Sequence, residues 1–273
     1  MNSSPNRSTF CASLYLVAGA LGLCVPAANA DLLAGWDFQG TTDPGGPIGT
    51  VIAMPPSTPR DFISNAGVFQ SFSHLFFDGT NGSSSFFVGT ANGDSELGAL
   101  NGITANTAGT IFATGTGSPT GGSLALFNRA VQGGIDGKSA VFKLSMDGYQ
   151  DLAFSFAVQR PASATGDYGV SLFTFSYSTD GLTFTPWGSI DTGFGTSVIN
   201  QAYSLDPILQ AVNDADNVFI KMTVSGSTGG INSARVDNIQ FNATAAPEPT
   251  AIAGLLVGVA MLGARRRSRA QSA

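Results

Sequence analysis

Short segments in which hydrophobic and polar residues alternate recur along the chain from residue 31 to residue 243. The clearest is Leu152–Gln159, where Leu152, Phe154, Phe156 and Val158 alternate with smaller or polar residues. Because successive side chains of a strand point to opposite faces, this period of two predicts strands with one buried face. The other predicted strands are Leu32–Phe38, Ser83–Val88, Ser123–Phe127, Ala140–Ser145, Ser171–Ser178, Leu182–Trp187, Val218–Ser225 and Val236–Asn242.

Turn-forming residues separate these segments, and hardly any stretch has the 3.6-residue period of a helix. Asp180-Gly181 predicts a hairpin turn, because glycine accepts a positive φ. One short helix is predicted over Asp206–Val212, with Asp206 as its cap. The segments Thr41–Pro59 and Gly98–Gly122 are rich in small and turn-forming residues, which predicts long surface loops. Together these patterns predict one all-β domain over residues 31–243.

The amino-terminal end follows a different pattern. A polar stretch containing Arg7 precedes the apolar run Phe10–Val25, and the small residues Ala28 and Ala30 follow it. This order predicts a helical signal peptide over residues 1–30, cut by signal peptidase before Asp31. A buried helix of the fold is one alternative. Lipidation at Cys24 is the other, although Leu23 is bulky where the lipoprotein pattern has a small residue.

The carboxyl-terminal end combines three features. A linker over residues 244–249 contains Pro247-Glu248-Pro249, the apolar run Thr250–Ala264 follows, and a basic tail over residues 265–273 begins with Arg265, Arg266 and Arg267. A helix of fifteen residues spans about 22 Å, less than the roughly 30 Å hydrocarbon core, so this transmembrane helix would be a marginal anchor. The arginines predict a cytoplasmic tail and an exported body.

This order of Pro-Glu-Pro, short apolar helix and arginine cluster resembles the PEP-CTERM sorting signal of bacterial envelope proteins. The resemblance covers residues 247–269 and implies that an exosortase recognises and cleaves the chain near Pro247-Glu248-Pro249. The protein would then be held in the inner membrane transiently and finish at the cell surface or outside the cell. A permanent membrane anchor is the alternative.

The body between the two ends is acidic and lacks cysteine. Residues 31–246 contain seven Lys and Arg against seventeen Asp and Glu, a net charge of −10. This charge argues against nucleic acid as a partner, since phosphate binding needs clustered cations. Both cysteines, Cys11 and Cys24, lie in the predicted signal peptide, so no disulfide and no cysteine-based zinc site is expected in the body.

Two motifs in the second half resemble the end of a jelly-roll sandwich. They are Phe175-Ser176-Tyr177-Ser178-Thr179-Asp180-Gly181 and Arg235-Val236-Asp237-Asn238-Ile239, within residues 168–241. The resemblance implies a single jelly-roll-like β-sandwich of the kind found in extracellular carbohydrate-binding and adhesive modules.

A candidate calcium site is predicted where the first and last strands would meet. Strict alternation places Arg235, Asp237, Ile239 and Phe241 on one face, so the Asp237 carboxylate would be half-buried and need a partner. The partner is either Arg235, in a structural pair, or a calcium ion that Asp37 also binds. Asn238 would face outward. The acidic segment Asp214–Asn217 is predicted as a turn.

Aromatic residues provide the candidate carbohydrate site. Sugars are bound by flat aromatic rings with neighbouring polar groups, and Trp187, Tyr168 and Tyr203 are the residues that fit this description. Packing in the core is the alternative for both Trp36 and Trp187.

The sequence offers little for catalysis. His74 is the single histidine, in a phenylalanine-rich segment that favours a structural or surface role, and Glu96 is the single glutamate of the body, in a predicted loop. The leading hypothesis is therefore a non-enzymatic structural or adhesive envelope protein. Binding of exopolysaccharide, with or without calcium, is the alternative, and a polysaccharide hydrolase comes third.

Overall fold

The computed structural model describes residues 30–36, 61–64, 66–77, 79–83, 95–99, 106, 122–127, 135–160, 170–193, 199–206, 208–226 and 233–247. Within these ranges the chain forms strands and one short 3-10 helix, Gln70–Phe72. The strands are β1 (Ala30–Trp36), β2 (Asp61–Ile63), β3 (His74–Phe76), β4 (Ser95–Ala99), β5 (Gly122–Phe127), β6 (Ser139–Leu144), β7 (Tyr149–Arg160), β8 (Leu172–Ser178), β9 (Thr185–Asp191), β10 (Ile199–Ser204), β11 (Val218–Ser225) and β12 (Ser233–Ala245).

The strands form two antiparallel sheets. The first sheet has the order β10-β7-β12-β5-β4, and β1 also pairs with β12. The second sheet has the order β2-β3-β6-β11-β8-β9. β5 and β1 lie on the same side of β12, where β5 pairs with its first four residues and β1 with residues 239–244.

A core rich in phenylalanine joins the two sheets. Phe142 of the second sheet lies 5.3 Å from Trp36, 6.1 Å from Phe154 and 5.3 Å from Phe241, ring centroid to ring centroid, and all three belong to the first sheet. Each of these four rings is at most 1% exposed. Packing of two apolar sheet faces around one shared core is a β-sandwich, as the alternating pattern predicted.

The strand order is consistent with the jelly-roll resemblance. From β6 to β12 the chain crosses between the sheets at every connection except the β8–β9 hairpin. Four neighbouring strands of the first sheet have the order β1-β12-β7-β10, and four of the second have the order β6-β11-β8-β9. Two interlocked Greek keys produce this arrangement.

Most of the predicted strands are confirmed, with boundaries that shift by a few residues. The strand predicted over Leu182–Trp187 is displaced to Thr185–Asp191, because the turn centred on Asp180-Gly181 extends through Thr183. Strands β2, β3, β4 and β10 were not predicted, and Glu96 lies in β4 rather than in a loop. Most of the predicted strand Ser83–Val88 and of the two long loops lies outside the described residues.

The helix predicted over Asp206–Val212 is wrong. Leu209 forms an isolated bridge with Leu152 of β7, in which each backbone N–H donates to the other residue's carbonyl, at 2.8 and 3.1 Å. The Leu209 side chain is also buried. Residues 211–214 form a turn instead. Backbone pairing with a buried strand therefore prevails over the local helical preference.

The predicted signal peptide, apart from Ala30, and the predicted membrane helix over 250–264 lie outside the described residues. In the part of the chain that the structure describes, no helix is long and apolar enough to span a membrane.

Candidate functional site

A bulge in β12 changes the predicted surroundings of Asp237. Asp237 pairs with Ala157 of β7, but Gln240 already pairs with Ser155, so β12 carries one extra residue between them. Asn238 has a φ of 47°, which places it in the left-handed region. The core-facing residues therefore switch from Ala234 and Val236 to Ile239, Phe241 and Ala243. The predicted sharing of one face by Asp237, Ile239 and Phe241 is wrong for this reason.

Polar side chains are buried on the outer side of the first sheet, around this bulge. Asp237 and Asn238 are fully buried, and Asp237 Oδ1 accepts a hydrogen bond of 2.8 Å from the Asn238 backbone N–H. Asn238 is therefore shielded from solvent. Asn106 covers the bulge, because its Nδ2 donates to the Asn238 carbonyl at 2.7 Å and its own carbonyl accepts from Gln240 Nε2.

Arg235 lies beside this cluster and has a hydrogen-bond partner on the neighbouring strand. Its guanidinium donates to Gln159 Oε1 at 2.8 Å, across the β12–β7 strand pair. Burial lowers the pKa of the Arg235 guanidinium. Residues directly opposite each other on paired strands lie close together, which explains this cross-strand hydrogen bond, and the predicted Arg235–Asp237 pair stays a prediction.

The candidate calcium site can be described only in part. Trp36, the residue before Asp37, pairs with Ile239, two residues after Asp237, but Asp37 itself lies outside the described residues. No three acidic, histidine or cysteine side chains come together among the residues that the structure describes. Calcium binding by Asp37 and Asp237 stays a prediction.

Two of the predicted carbohydrate-binding aromatics pack against the core at one side of the sandwich. Trp187 lies on β9 and Tyr203 on β10, the edge strands of the two sheets at that side. Trp187 lies 6.4 Å from Phe154, and Tyr203 lies 6.2 Å from Phe156, ring centroid to ring centroid. Both are partly buried, so their rings help to close the sandwich, whereas Tyr168 lies outside the described residues.

A groove of about 360 Å³ opens where the β2–β3 connection meets one end of the second sheet. We call it the corner groove. Two strand pairings bring its sides together, because β3 pairs with β6 through His74 and Lys143, and β6 pairs with β11 through Leu144 and Val218. The lining residues are Phe69, Phe72, His74, Lys143, Leu144, Ser145, Asp216 and Asn217.

The aromatic side of the corner groove is held by β1. The backbone N–H groups of Val68 and Phe69 donate to the carbonyls of Leu32 and Leu33, at 3.0 and 2.9 Å. Gly67 allows this close approach, because it has a φ of 108° and a Cβ there would lie 2.4 Å from the Leu33 carbonyl oxygen. The 3-10 helix that follows therefore has a fixed position on the sandwich.

Two phenylalanines on this segment have different surroundings. Phe69 is partly buried, and its ring meets that of Tyr149 edge-on, with 5.8 Å between centroids. Phe72 is 69% exposed. One ring thus anchors the segment, while the other offers an apolar surface to solvent.

The opposite side of the corner groove is polar. His74 stacks on Phe76, with 5.9 Å between ring centroids, and Lys143 Nζ lies 5.7 Å from the centre of the Phe219 ring. Asp216 and Asn217, just before β11, are both exposed. The groove therefore combines an exposed aromatic surface with hydrogen-bond donors and acceptors.

Sequence reasoning missed this groove as a site. It gave His74 a structural or surface role and predicted a turn over Asp214–Asn217. In the structure His74 lies on β3, and the turn covers residues 211–214, with a bend at Asp216. The phenylalanines around His74 mark an apolar segment, but they do not show which residues lie opposite it. Residues 69–74 and 216–217 come together because β3 pairs with β6 and β6 pairs with β11. These strands are far apart in sequence, so local patterns do not reveal the pairing.

Comparison with known proteins identifies no family for the chain. No family model and no curated protein matches the sequence. Among solved structures, TmCBM61 in complex with β-1,4-galactotriose is similar over 54% of this chain and 81% of its own, with 9% identity and a TM-score of 0.30.

Two further structures show the same level of similarity. The K1 cleaved adhesin domain of Lys-gingipain from Porphyromonas gingivalis W83 is similar over 71% of this chain and 98% of its own, with 10% identity and a TM-score of 0.34. An apo cyclase from Fischerella sp. is similar over 81% and 98%, with 10% identity and a TM-score of 0.39. Similarities this low assign no function to this chain.

Proposed function

We propose that this chain is an exported, non-enzymatic protein of the bacterial cell surface or extracellular matrix, with a structural or adhesive body shaped as a jelly-roll sandwich. Signal peptidase would remove residues 1–30, and an exosortase would cleave near Pro247-Glu248-Pro249. The supporting observation is that the two ends of the body meet in one strand pair, where Ala30 of β1 pairs with Thr244 of β12.

The proposed cut before Asp31 lies at the first residue of β1, and Pro247 lies just beyond the end of β12. A cut before Asp31 takes only the exposed Ala30 from β1 and leaves the buried Leu33, Ala34 and Trp36 in place. At the other end, β12 ends at Ala245, the Ala246 N–H donates to the Gly148 carbonyl at 2.8 Å, and Pro247 is exposed. Both cuts therefore leave in place the core side chains that the structure describes.

The test is the intact mass of the protein in envelope and culture-medium fractions of its native host. We expect a species that lacks residues 1–30 and everything beyond the Pro247-Glu248-Pro249 region, with or without an added anchor. Replacing Pro247, Glu248 and Pro249 with alanine should leave the tail attached and the protein in the inner membrane. Replacing Asp206 with alanine, an exposed change far along the chain from both sites, is the matched control and should leave processing unchanged.

Two results would contradict the proposal. A mature wild-type protein that retains Arg265–Ala273 would make the tail a permanent anchor and remove the role of an exosortase. A mature protein that retains residues 1–30 would remove the role of signal peptidase and, with it, this route of export.

Carbohydrate binding is the second candidate function, and the corner groove favours it. The groove has an exposed phenylalanine on one side and hydrogen-bonding side chains on the other. Adhesion to an exopolysaccharide would need a surface of this chemical type.

A further inference from the structure

We infer that the corner groove binds an uncharged sugar unit of a polysaccharide, with Phe72 as the platform for the sugar ring. This inference builds on the proposed adhesive role, to which it gives a site and a ligand class. It places the sugar at the corner groove rather than at Trp187 and Tyr203, which pack against the core.

The aromatic side of the groove suits the apolar face of a sugar. A pyranose ring presents C–H groups on one face, and these pack on a flat aromatic surface that water covers poorly. Phe72 is 69% exposed and lies at the end of the 3-10 helix, so its ring can be covered by a ligand without moving a core side chain. Burial of this ring provides a hydrophobic contribution to binding.

The polar side of the groove suits sugar hydroxyls. A hydroxyl both donates and accepts hydrogen bonds, so a site for several hydroxyls needs both kinds of partner. Lys143 supplies donors, Asp216 supplies acceptors, and Asn217 supplies both. The volume of about 360 Å³ lies at the lower end of the roughly 300 to 1,000 Å³ typical of small-molecule sites, which suits one or two sugar units of a longer chain.

Backbone and serine hydrogen bonds hold the segment that forms the aromatic side of the groove. Ser64 Oγ accepts a hydrogen bond of 2.9 Å from the Gly35 N–H, and the Ser64 N–H donates to the Ser73 carbonyl at 2.9 Å. Ser73 Oγ in turn donates to the Phe69 carbonyl at 2.9 Å. These bonds fix both ends of the segment that carries Phe72, so little ordering of the backbone remains to oppose binding.

Charge favours a neutral sugar over an acidic one. The body has a net charge of −10, and Asp216 places a carboxylate at the groove itself. An anionic polysaccharide would be repelled by this net charge, and at the groove the Lys143 charge only offsets that of Asp216. Binding of a neutral sugar also predicts little dependence on salt, since no ion pair with the ligand would be screened.

The experiment measures binding of the purified full chain, in mild detergent, to a panel of neutral oligosaccharides with gluco, galacto, manno and arabino configurations. Oligosaccharides of uronic acids form a second arm, and a hydrophobic fluorescent dye forms a third. We expect binding to at least one neutral sugar. Its affinity should be unchanged in 0.5 M salt, where the Debye length is roughly 4 Å and exposed charges are largely screened. Phe72→Ala should weaken it by about 10-fold or more, and Phe72→Trp should preserve it.

Further variants locate the site. Asp216→Ala should also weaken binding, and it gives an independent test because it leaves the aromatic platform intact. Leu182→Ala is the matched control, since Leu182 is 85% exposed but does not line the groove, and it should leave binding unchanged. Circular dichroism of each variant checks that the fold is retained.

Several outcomes would overturn the inference. One is wild-type protein that binds no neutral sugar, and another is binding that neither Phe72→Ala nor Asp216→Ala weakens. Binding lost in Trp187→Phe alone would move the site to the edge aromatics. Binding confined to uronic acids or to the dye would assign the groove to an anionic or an apolar ligand instead. Because unprocessed chain is used, each outcome is independent of whether the host removes the terminal segments.

Discussion

The turn between β8 and β9 shows how single side chains fix local structure. Asp180 Oδ1 accepts hydrogen bonds from the backbone N–H groups of Leu182 and Thr183, both at 2.8 Å, and from Ser178 Oγ at 2.7 Å. Gly181 follows with a φ of 71°. The sequence Asp180-Gly181 predicted the turn but not the number of residues in it. That number depends on how many backbone N–H groups donate hydrogen bonds to the Asp180 carboxylate.

These hydrogen bonds predict a pH dependence at Asp180. The bond from Ser178, followed by those from the Thr183 and Leu182 backbone, lowers the pKa of Asp180 to about 2. Since the folded pKa lies below the ordinary value of about 3.9, the contribution to stability is fully present above that value. It is lost as the pH falls through about 2. A carboxyl NMR titration of the purified protein should give a midpoint of about 2 for this residue.

A single variant checks the cause. Ser178→Ala removes the hydrogen bond that contributes most to the shift, so the Asp180 midpoint should rise toward the ordinary value. Ser189→Ala, an exposed change on the next strand, is the control and should leave the midpoint where it is. An unchanged midpoint in Ser178→Ala would show that the backbone N–H groups alone hold the pKa low.

At the scale of elements, the central strand pair β7–β12 departs from regular alternation at two places. One extra residue lies in β12 between Asp237 and Gln240, and one extra residue lies in β7 opposite the interval from Asn242 to Thr244. Asn238 and Asp151, one within each interval, have φ values of 47° and 61°. Asparagine and aspartate tolerate this backbone better than other residues with a side chain, which is why bulges can form here.

The bulges explain where sequence reasoning succeeded and where it failed. The alternation of Leu152, Phe154, Phe156 and Val158 lies on one side of the β7 bulge, and all four are buried as predicted. The prediction that Asp237 shares a face with Ile239 and Phe241 counts residues across the β12 bulge, and for that reason it is wrong. A bulge is set by pairing with neighbouring strands, so a period counted along one strand cannot locate it.

The backbone at Asn238 gives a prediction for this element. Asn238→Ala and Asn238→Gly remove the same side-chain hydrogen-bonding groups, but only alanine is strained at a φ of 47°. We therefore expect Asn238→Ala to be less stable than Asn238→Gly by about 1 kcal/mol in urea denaturation.

Asn242 of the same strand does not have a positive φ and provides the matched control. There alanine should be the more stable of the two replacements, because glycine in extended backbone loses more conformational entropy on folding. Finding alanine more stable at both positions would contradict the left-handed backbone assigned to Asn238.

At the scale of the whole molecule, the sandwich could be predicted from the sequence, but the corner groove could not. Strand period and turn residues are local signals, and they were sufficient for an all-β domain with a phenylalanine-rich core. The groove depends on β3 lying beside β6 and β6 beside β11, which brings His74 next to Lys143 and places Asp216 nearby. The short strand β3 has too few residues to show a period, so its pairing could not be foreseen.

The core also predicts that the two sheets unfold together. Trp36 belongs to the first sheet and contacts Phe142 of the second, at 5.3 Å, whereas Trp187 belongs to the second and contacts Phe154 of the first, at 6.4 Å. Each tryptophan therefore reports on the contact between sheets from a different side. The chain has two tryptophans, so each of the variants Trp36→Phe and Trp187→Phe keeps one of them as the fluorescence reporter.

In each variant we expect the urea transitions followed by tryptophan fluorescence and by far-ultraviolet circular dichroism to coincide, because neither sheet can keep its buried face without the other. Trp36→Phe should cost about 1 to 3 kcal/mol and more than Trp187→Phe, since Trp36 is 1% exposed and Trp187 only partly buried. Leu182→Ala should leave the transition within about 0.5 kcal/mol of wild type. A fluorescence transition of either tryptophan that separates from the dichroism would mean that one sheet persists alone, and the shared phenylalanine core would then not be what makes the fold cooperative.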